Sequence, residues 1–378
     1  MSVFRSRPAL RWLVPAAAAV AVIGGGAAAG KIVASAAPSL PDRSAAQLLV
    51  DIQTAKVDGL SGTVVENADL GLPAIAGLAK GSGQADISSL IAGSNTARVW
   101  YAGDEKVRLA LLGTKGETDF IRNGSDAYLW NSSAKTATHA KIPAGALERH
   151  PESMAGALPK TPQEAADAAL AAIDPSTKVE TTGAAKVAGR DAYELVLSPK
   201  DTASLIGQVR LAIDAEHHIP LRVDVYAKNN TTPAFRIAFQ QISFTVPDAE
   251  QFAFNPPADT KVTESSAAPA AADRQKLAEK RKELAQEKSP LAGGSPKVIG
   301  TGWTSVLELT APKAKGDTAK GDAAKGLDGV TGMMQKVSGS WGNGYLFSGK
   351  LFSVLMTDDG RVLVGAVAPE KLYQAAAK

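Results

Sequence analysis

Between Thr96 and Phe254 the chain keeps returning to one pattern: apolar side chains at every second position, in short runs broken by turn residues. A period of two is the signature of strands with one face turned from water, and it conflicts with any helical reading. The first set of runs reads "TARVWYAG", "EKVRLALLG", "GETDFIRNG", "SDAYLWNS" and "KTATHAKI", with Asn123-Gly124 as a hairpin signal between two of them. The second spans Lys178 to Phe254. There "GRDAYELVLSPKD" places Tyr193, Leu195 and Leu197 in one phase. Val209, Leu211 and Ile213 share a phase, as do Leu221, Val223 and Val225. Phe235, Ile237 and Phe239 continue it, but Ile242, Phe244 and Val246 fall one position out of step. A slip of one residue turns every later side chain over, so the pattern predicts a bulge at Gln240-Gln241.

Helices are few. Ser44 caps a helix whose stripe is Leu48, Leu49, Ile52 and Ala55, with Gln47 completing a capping box and Gly59 ending it. "LSGTVVENADL" follows as a strand, and Gly71 to Ser94 reads as a mobile loop or short helix. "TPQEAADAALAAID" reads as a second helix with an alanine face, too thin to build a large core. The expected architecture is mainly β (α+β). It is a large antiparallel sheet of around ten strands carrying two helices, and a sheet of that size tends to curl and enclose an apolar space. A smaller C-terminal α+β module follows: "GWTSVLELTAP" as a strand, "LDGVTGMMQKVSG" as a helix, two strands joined at Asp358-Asp359-Gly360, and a closing helix "PEKLYQAAA".

The expected organisation has four parts: 1–36, a signal peptide or anchor; 44–262, the large curled sheet; 263–296, a linker with the polar helix "DRQKLAEKRKELAQEK"; and 297–378, the small domain. Arg5, Arg7 and Arg11 precede the apolar "WLVPAAAAVAVIGGGAAAG", and "ASA" at Ala34 to Ala36 offers a cleavage site. Cleaved signal and retained anchor both place the remainder outside the cytoplasm.

The search for chemistry returns little. No cysteine is present, which excludes disulfides, thiolate metal sites and a cysteine nucleophile. Net charge is only +3, with both signs interspersed along the strands, so there is no footprint for nucleic acid. No nucleophile elbow or phosphate-binding glycine loop occurs. His139 and His150 are isolated, and the adjacent His217 and His218 lie in "DAEHHIP", read as a solvated turn. Asp214 and Asp224 are read as surface charge. The expectation is a protein without catalytic residues, metal or cofactor. The strand aromatics Trp100, Tyr101, Phe120, Tyr128, Trp130, Tyr193, Phe235 and Phe239 either pack a core or line a pocket.

"VAGRDAYELVLSPKD", then "VRLAIDAEHHIPLRVDVYA", then "PAFRIAFQQISFTVPDAEQFAFNPPADTKV" resembles the LolA-like superfamily in order and spacing. That superfamily includes lipoprotein carriers, the sigma-factor regulators MucB and RseB, and mycobacterial-type lipid-binding lipoproteins. The large-then-small layout is most similar to MucB/RseB. The resemblance implies an unclosed β-barrel with a helical lid over a cavity for acyl chains of a lipid or lipoprotein. Lining residues by position are Val107, Leu109, Leu111, Tyr193, Leu195, Leu197, Leu211, Val223 and Ile237. It also implies, as an alternative, a regulator binding a membrane anti-sigma factor. The lipobox cysteine of lipid-anchored members is missing.

Overall fold

The computed structural model describes residues 40–71, 92–113, 116–142, 175–265, 297–310 and 334–377. The export segment, most of the loop after Gly71, the alanine-faced helix, the polar linker helix and the Ala314–Gly326 stretch lie outside these residues.

Helix α1 (Ala45–Thr54) has both arms of the capping box: Ser44 Oγ accepts from Gln47 N–H, and the Gln47 side chain accepts from Ser44 N–H at 2.9 Å. It stops at Thr54, earlier than expected. Gly59 serves the entry to the next strand instead. A Cβ there would lie 2.7 Å from Val246 Cα, so only glycine allows the two segments to meet.

Eleven strands follow as two meanders, β1–β6 and β7–β11, joined where β11 pairs with β1: β1 (Leu60–Asp69), β2 (Ala92–Tyr101), β3 (Lys106–Gly113), β4 (Gly116–Asn123), β5 (Asp126–Asn131), β6 (Thr136–Lys141), β7 (Thr177–Val187), β8 (Arg190–Pro199), β9 (Ile206–Asp214), β10 (Pro220–Ala227) and β11 (Pro233–Ser243). β12 (Lys261–Ser265) completes a twelve-stranded sheet ordered β12-β6-β5-β4-β3-β2-β1-β11-β10-β9-β8-β7. Its two end strands are not paired, so the barrel is unclosed, yet it curls enough to bring β7 back near β11. The β4–β5 hairpin turns where expected, with the positive φ of +63° on Gly124 and Asn123 facing Asp126. The bulge also falls where the phase slips: Thr63 pairs with Gln241 and Val64 with Phe239, leaving Gln240 between them.

The sheet differs from the expectation in being mixed. β12 crosses the expected boundary at residue 262 and pairs parallel to β6. The chain from Phe244 to Thr260 passes back over the sheet before β12, which makes a parallel approach possible. His139 on β6 ties the two strands, meeting Glu264 at 2.7 Å and Asp126 at 2.6 Å.

The second sheet holds β13 (Lys297–Ile299), β14 (Val306–Thr310), β15 (Gln335–Gly339), β16 (Gly342–Ser348), β17 (Ser353–Thr357) and β18 (Arg361–Gly365), ordered β13-β14-β18-β17-β16-β15. Two expectations change here. Gln335–Gly339, read as the end of a helix, is a strand, because Val337 packs toward the small core and Gly339 lets Trp341 lie across it. "GWTSV" opens with a 3₁₀ turn (Gly302–Thr304), so its strand begins only at Val306. Helix α2 (Pro369–Ala376) has Pro369 in its first turn and buries Leu372 against Leu346, Leu355 and Leu363. The two sheets touch through Leu205 N–H donating to Ala366 O (2.9 Å) and Trp303 Nε1–H donating to Thr177 Oγ1 (2.7 Å).

Candidate functional site

Strand register decides which side chains share a face. Leu109 on β3 stands opposite Val99 on β2, Gly62 of β1 connects Val99 to Ile242, and Val64 faces both Ala97 and Phe239. Across β11, Ile237 faces Val223; Val223 faces Leu211; Leu211 faces Leu195; Tyr193 and Leu197 flank it. Val107, Leu109, Leu111, Tyr193, Leu195, Leu197, Leu211, Val223 and Ile237 therefore lie on one face of the large sheet.

They do not form one uniform surface. At the β8–β9 end, Tyr193, Leu195 and Ile213 are buried under Leu48 and Leu49 of α1, with Leu211 packed beside them. In the middle, Ile237 joins Val64, Ala68, Ala97 and Phe235, with Leu109, Leu111 and Val223 against them. Leu351, from the loop between β16 and β17, packs on this cluster too. Beyond Leu109 the face opens. Phe120 and Leu129, paired directly across β4 and β5, are 37% and 53% exposed. Of the strand aromatics, Tyr193 and Phe235 are core, whereas Phe120 faces water.

One residue on this face escaped the sequence reading. Glu66 shares the phase of Val64 and Ala68, stands opposite Ile237, and is only 2% exposed. Asn95, equally buried on β2, donates its amide to Glu66 Oε2; Oε1 has no hydrogen-bond partner among the described residues. Burial pushes the carboxyl up to about 7, with Asn95 pulling the other way. The signal was present in "VVENA": an acidic residue standing in an apolar phase.

The other face is ionic, and it corrects two expectations. Asp214 and Asp224 are fully buried rather than surface charges. Asp224 accepts from Arg236 at 2.5 and 3.1 Å and pairs with Arg222 at 2.9 Å, and Arg222 reaches on to Glu194 at 2.7 Å. Asp214 is gripped by Arg190 and accepts the N–H groups of His217 (2.7 Å) and Glu216 (3.1 Å). Burial alone would raise the Asp214 pKa, but Arg190 and these N–H groups outweigh it and hold the carboxyl below its usual value. The "DAEHHIP" turn is correspondingly built rather than merely solvated. His217 stacks on Phe244 with centroids 3.6 Å apart, and Arg190 lies over the same ring at 4.7 Å. His218 adopts a positive φ of +58°, and its Nε2 lies 4.0 Å from Asp51 of α1.

Further along this face Arg108 clamps Asp119 Oδ2 at 2.6 and 3.0 Å. The neighbouring Asp119 carboxyl and partial burial lift the Glu117 carboxyl to about 7. A cavity of about 220 Å³ lies there, lined by Arg108, Asp119, Ile121, Trp130, Phe254 and Pro256. Among the described residues no group of three or more acidic or histidine side chains is placed to hold a metal ion.

Residues 95–264 match the family described as the MucB/RseB N-terminal domain. No curated protein matches the chain. Among solved structures, a chain of the Pseudomonas aeruginosa MucA/MucB complex is 18% identical, over 88% of this chain and 96% of that one, with a TM-score of 0.39. A LolA superfamily protein from Nitrosomonas europaea is 10% identical over 56% and 99%, with a TM-score of 0.21. A putative outer membrane lipoprotein-sorting protein domain from Vibrio parahaemolyticus is 10% identical over 51% and 88%, with a TM-score of 0.18. Over residues 95–264, then, this chain is similar to the MucB/RseB N-terminal domain.

Proposed function

We propose that the protein is exported, non-catalytic, and holds acyl chains of a lipid or lipoprotein on the apolar face of its large sheet. The observation that carries this reading is the row Leu109–Phe120–Leu129, large apolar side chains that run from the buried middle of the face out into water. Singly exposed apolar residues need no explanation, but a contiguous row continuing a core is the form an apolar binding surface takes. In this reading residues 44–262 are the binding unit, and Val107, Leu109, Leu111, Leu197, Leu211, Val223 and Ile237 line the path inward. Tyr193 and Leu195 form its floor beneath α1. Organic extraction of the purified exported protein, followed by mass spectrometry, is expected to release a lipid. The apo protein is expected to take up a fluorescent fatty acid. Absence of both results sinks the reading.

A second reading, regulation of a membrane anti-sigma factor, is favoured by the family match over residues 95–264. In it, the large sheet or residues 297–378 provide contacts to the partner. Unchanged expression of sigma-factor targets under envelope stress in a deletion strain would dismiss it.

A further inference from the structure

Glu66 is an expensive choice for its position. Its neighbours on the face are Val64, Ala68, Ala97, Phe235 and Ile237, all buried and apolar, and a leucine there would complete the core. A buried polar atom without a partner costs on the order of 1–3 kcal/mol. Asn95 relieves only half of the problem, because its amide occupies Oε2 and leaves Oε1 without a partner among the described residues.

We propose that Glu66 and Asn95 form a polar anchor in the apolar wall, where the protonated Glu66 carboxyl donates to the carbonyl of an acyl ester or amide. This rests on the acyl-chain reading above and narrows it: the ligand is anchored at a carbonyl, not held by its chain alone. The chemistry of the pair selects this class. A neutral carboxyl with one oxygen already accepting has a single O–H to offer, and a carbonyl is its complement. Among the described residues an anionic headgroup would find no cation beside Glu66 itself. The groups packed around Glu66 from β1, β2 and β11 carry no charge, and burial and Asn95 alone set its protonation. The ion pair at this edge is Lys350–Asp69 (2.6 Å), in the loop that brings Leu351 onto the cluster. An exposed pair of this kind contributes about 0–1 kcal/mol, and the loop is held besides by Lys350 N–H donating to Leu70 O (2.8 Å), so a ligand that reaches Glu66 must displace this cover.

The test compares methyl palmitate with hexadecane as competitors of a fluorescent fatty acid, using the full exported chain as wild type, Glu66→Gln and Glu66→Leu. The wild type is expected to prefer the ester about five- to tenfold, the worth of one buried hydrogen bond. Glu66→Leu should erase that preference by weakening the ester alone, and Glu66→Gln should keep part of it. Raising the pH from about 6 to about 8 should weaken ester binding in the wild type and leave Glu66→Gln unchanged, because only the former ionises. Equal affinity for ester and alkane in the wild type, or an unaltered preference in Glu66→Leu, overturns the anchor while leaving acyl binding intact. If the wild type takes up neither ligand, acyl binding itself fails, and the anchor with it.

Discussion

The two ends of the apolar face are written in the same alternation and end up as different things. At the β8–β9 end, Tyr193, Leu195 and Ile213 are sealed beneath Leu48 and Leu49, an ordinary core. At the β4–β5 end, Phe120 and Leu129 keep the same phase but stand in water. Alternation determines which side of a sheet is apolar; it does not determine whether anything covers that side. What makes the difference is a short capped helix, packed over one end of the face.

The contrast can be broken experimentally. Leu195→Ala should lower unfolding stability by about 3 kcal/mol, since it removes fully buried volume under α1. Equal losses from Leu195→Ala and Leu129→Ala, in chemical denaturation, would mean the ends are equally closed. Between them, Glu66 should make stability depend on pH. Its folded pKa lies above the usual 4.5, so the folded state holds a proton that the unfolded chain releases between those values. Stability is therefore fully present below about 4.5 and falls as pH rises toward 7, by on the order of 2–3 kcal/mol. Glu66→Gln should flatten that slope in denaturant melts taken across the window. Ser44→Ala removes one arm of the capping box and should cost about 1 kcal/mol, with faster hydrogen exchange in α1. Leu129→Ala should cost least, below about 1 kcal/mol, yet reduce fatty-acid uptake more than any of the others.

The candidate site was half legible before the structure. All nine residues assigned to one face share it, and the bulge at Gln240 keeps Ile242 on the same side as Phe239. Glu66 was overlooked because an acidic residue in a strand reads by default as solvent-facing, and Asp214 and Asp224 were misread for the same reason. Ionised side chains are costly to bury, and that default reverses only where a partner is supplied. Arg236 reaches Asp224 from the neighbouring strand β11, and Arg190 reaches Asp214 from β8. Nothing short of the register places those guanidinium groups.

Strand phase, the β4–β5 turn, the bulge and the α1 cap were determined by the sequence itself, because each depends on residues a few positions apart. The parallel docking of β12, the strand at Gln335–Gly339, the buried ion pairs and the partnerless oxygen of Glu66 were decided only by the tertiary structure. So was the choice of which end of the apolar face is closed. Each of these depends on which distant segment packs on which, and burial is a property of that cover, not of the residue beneath it.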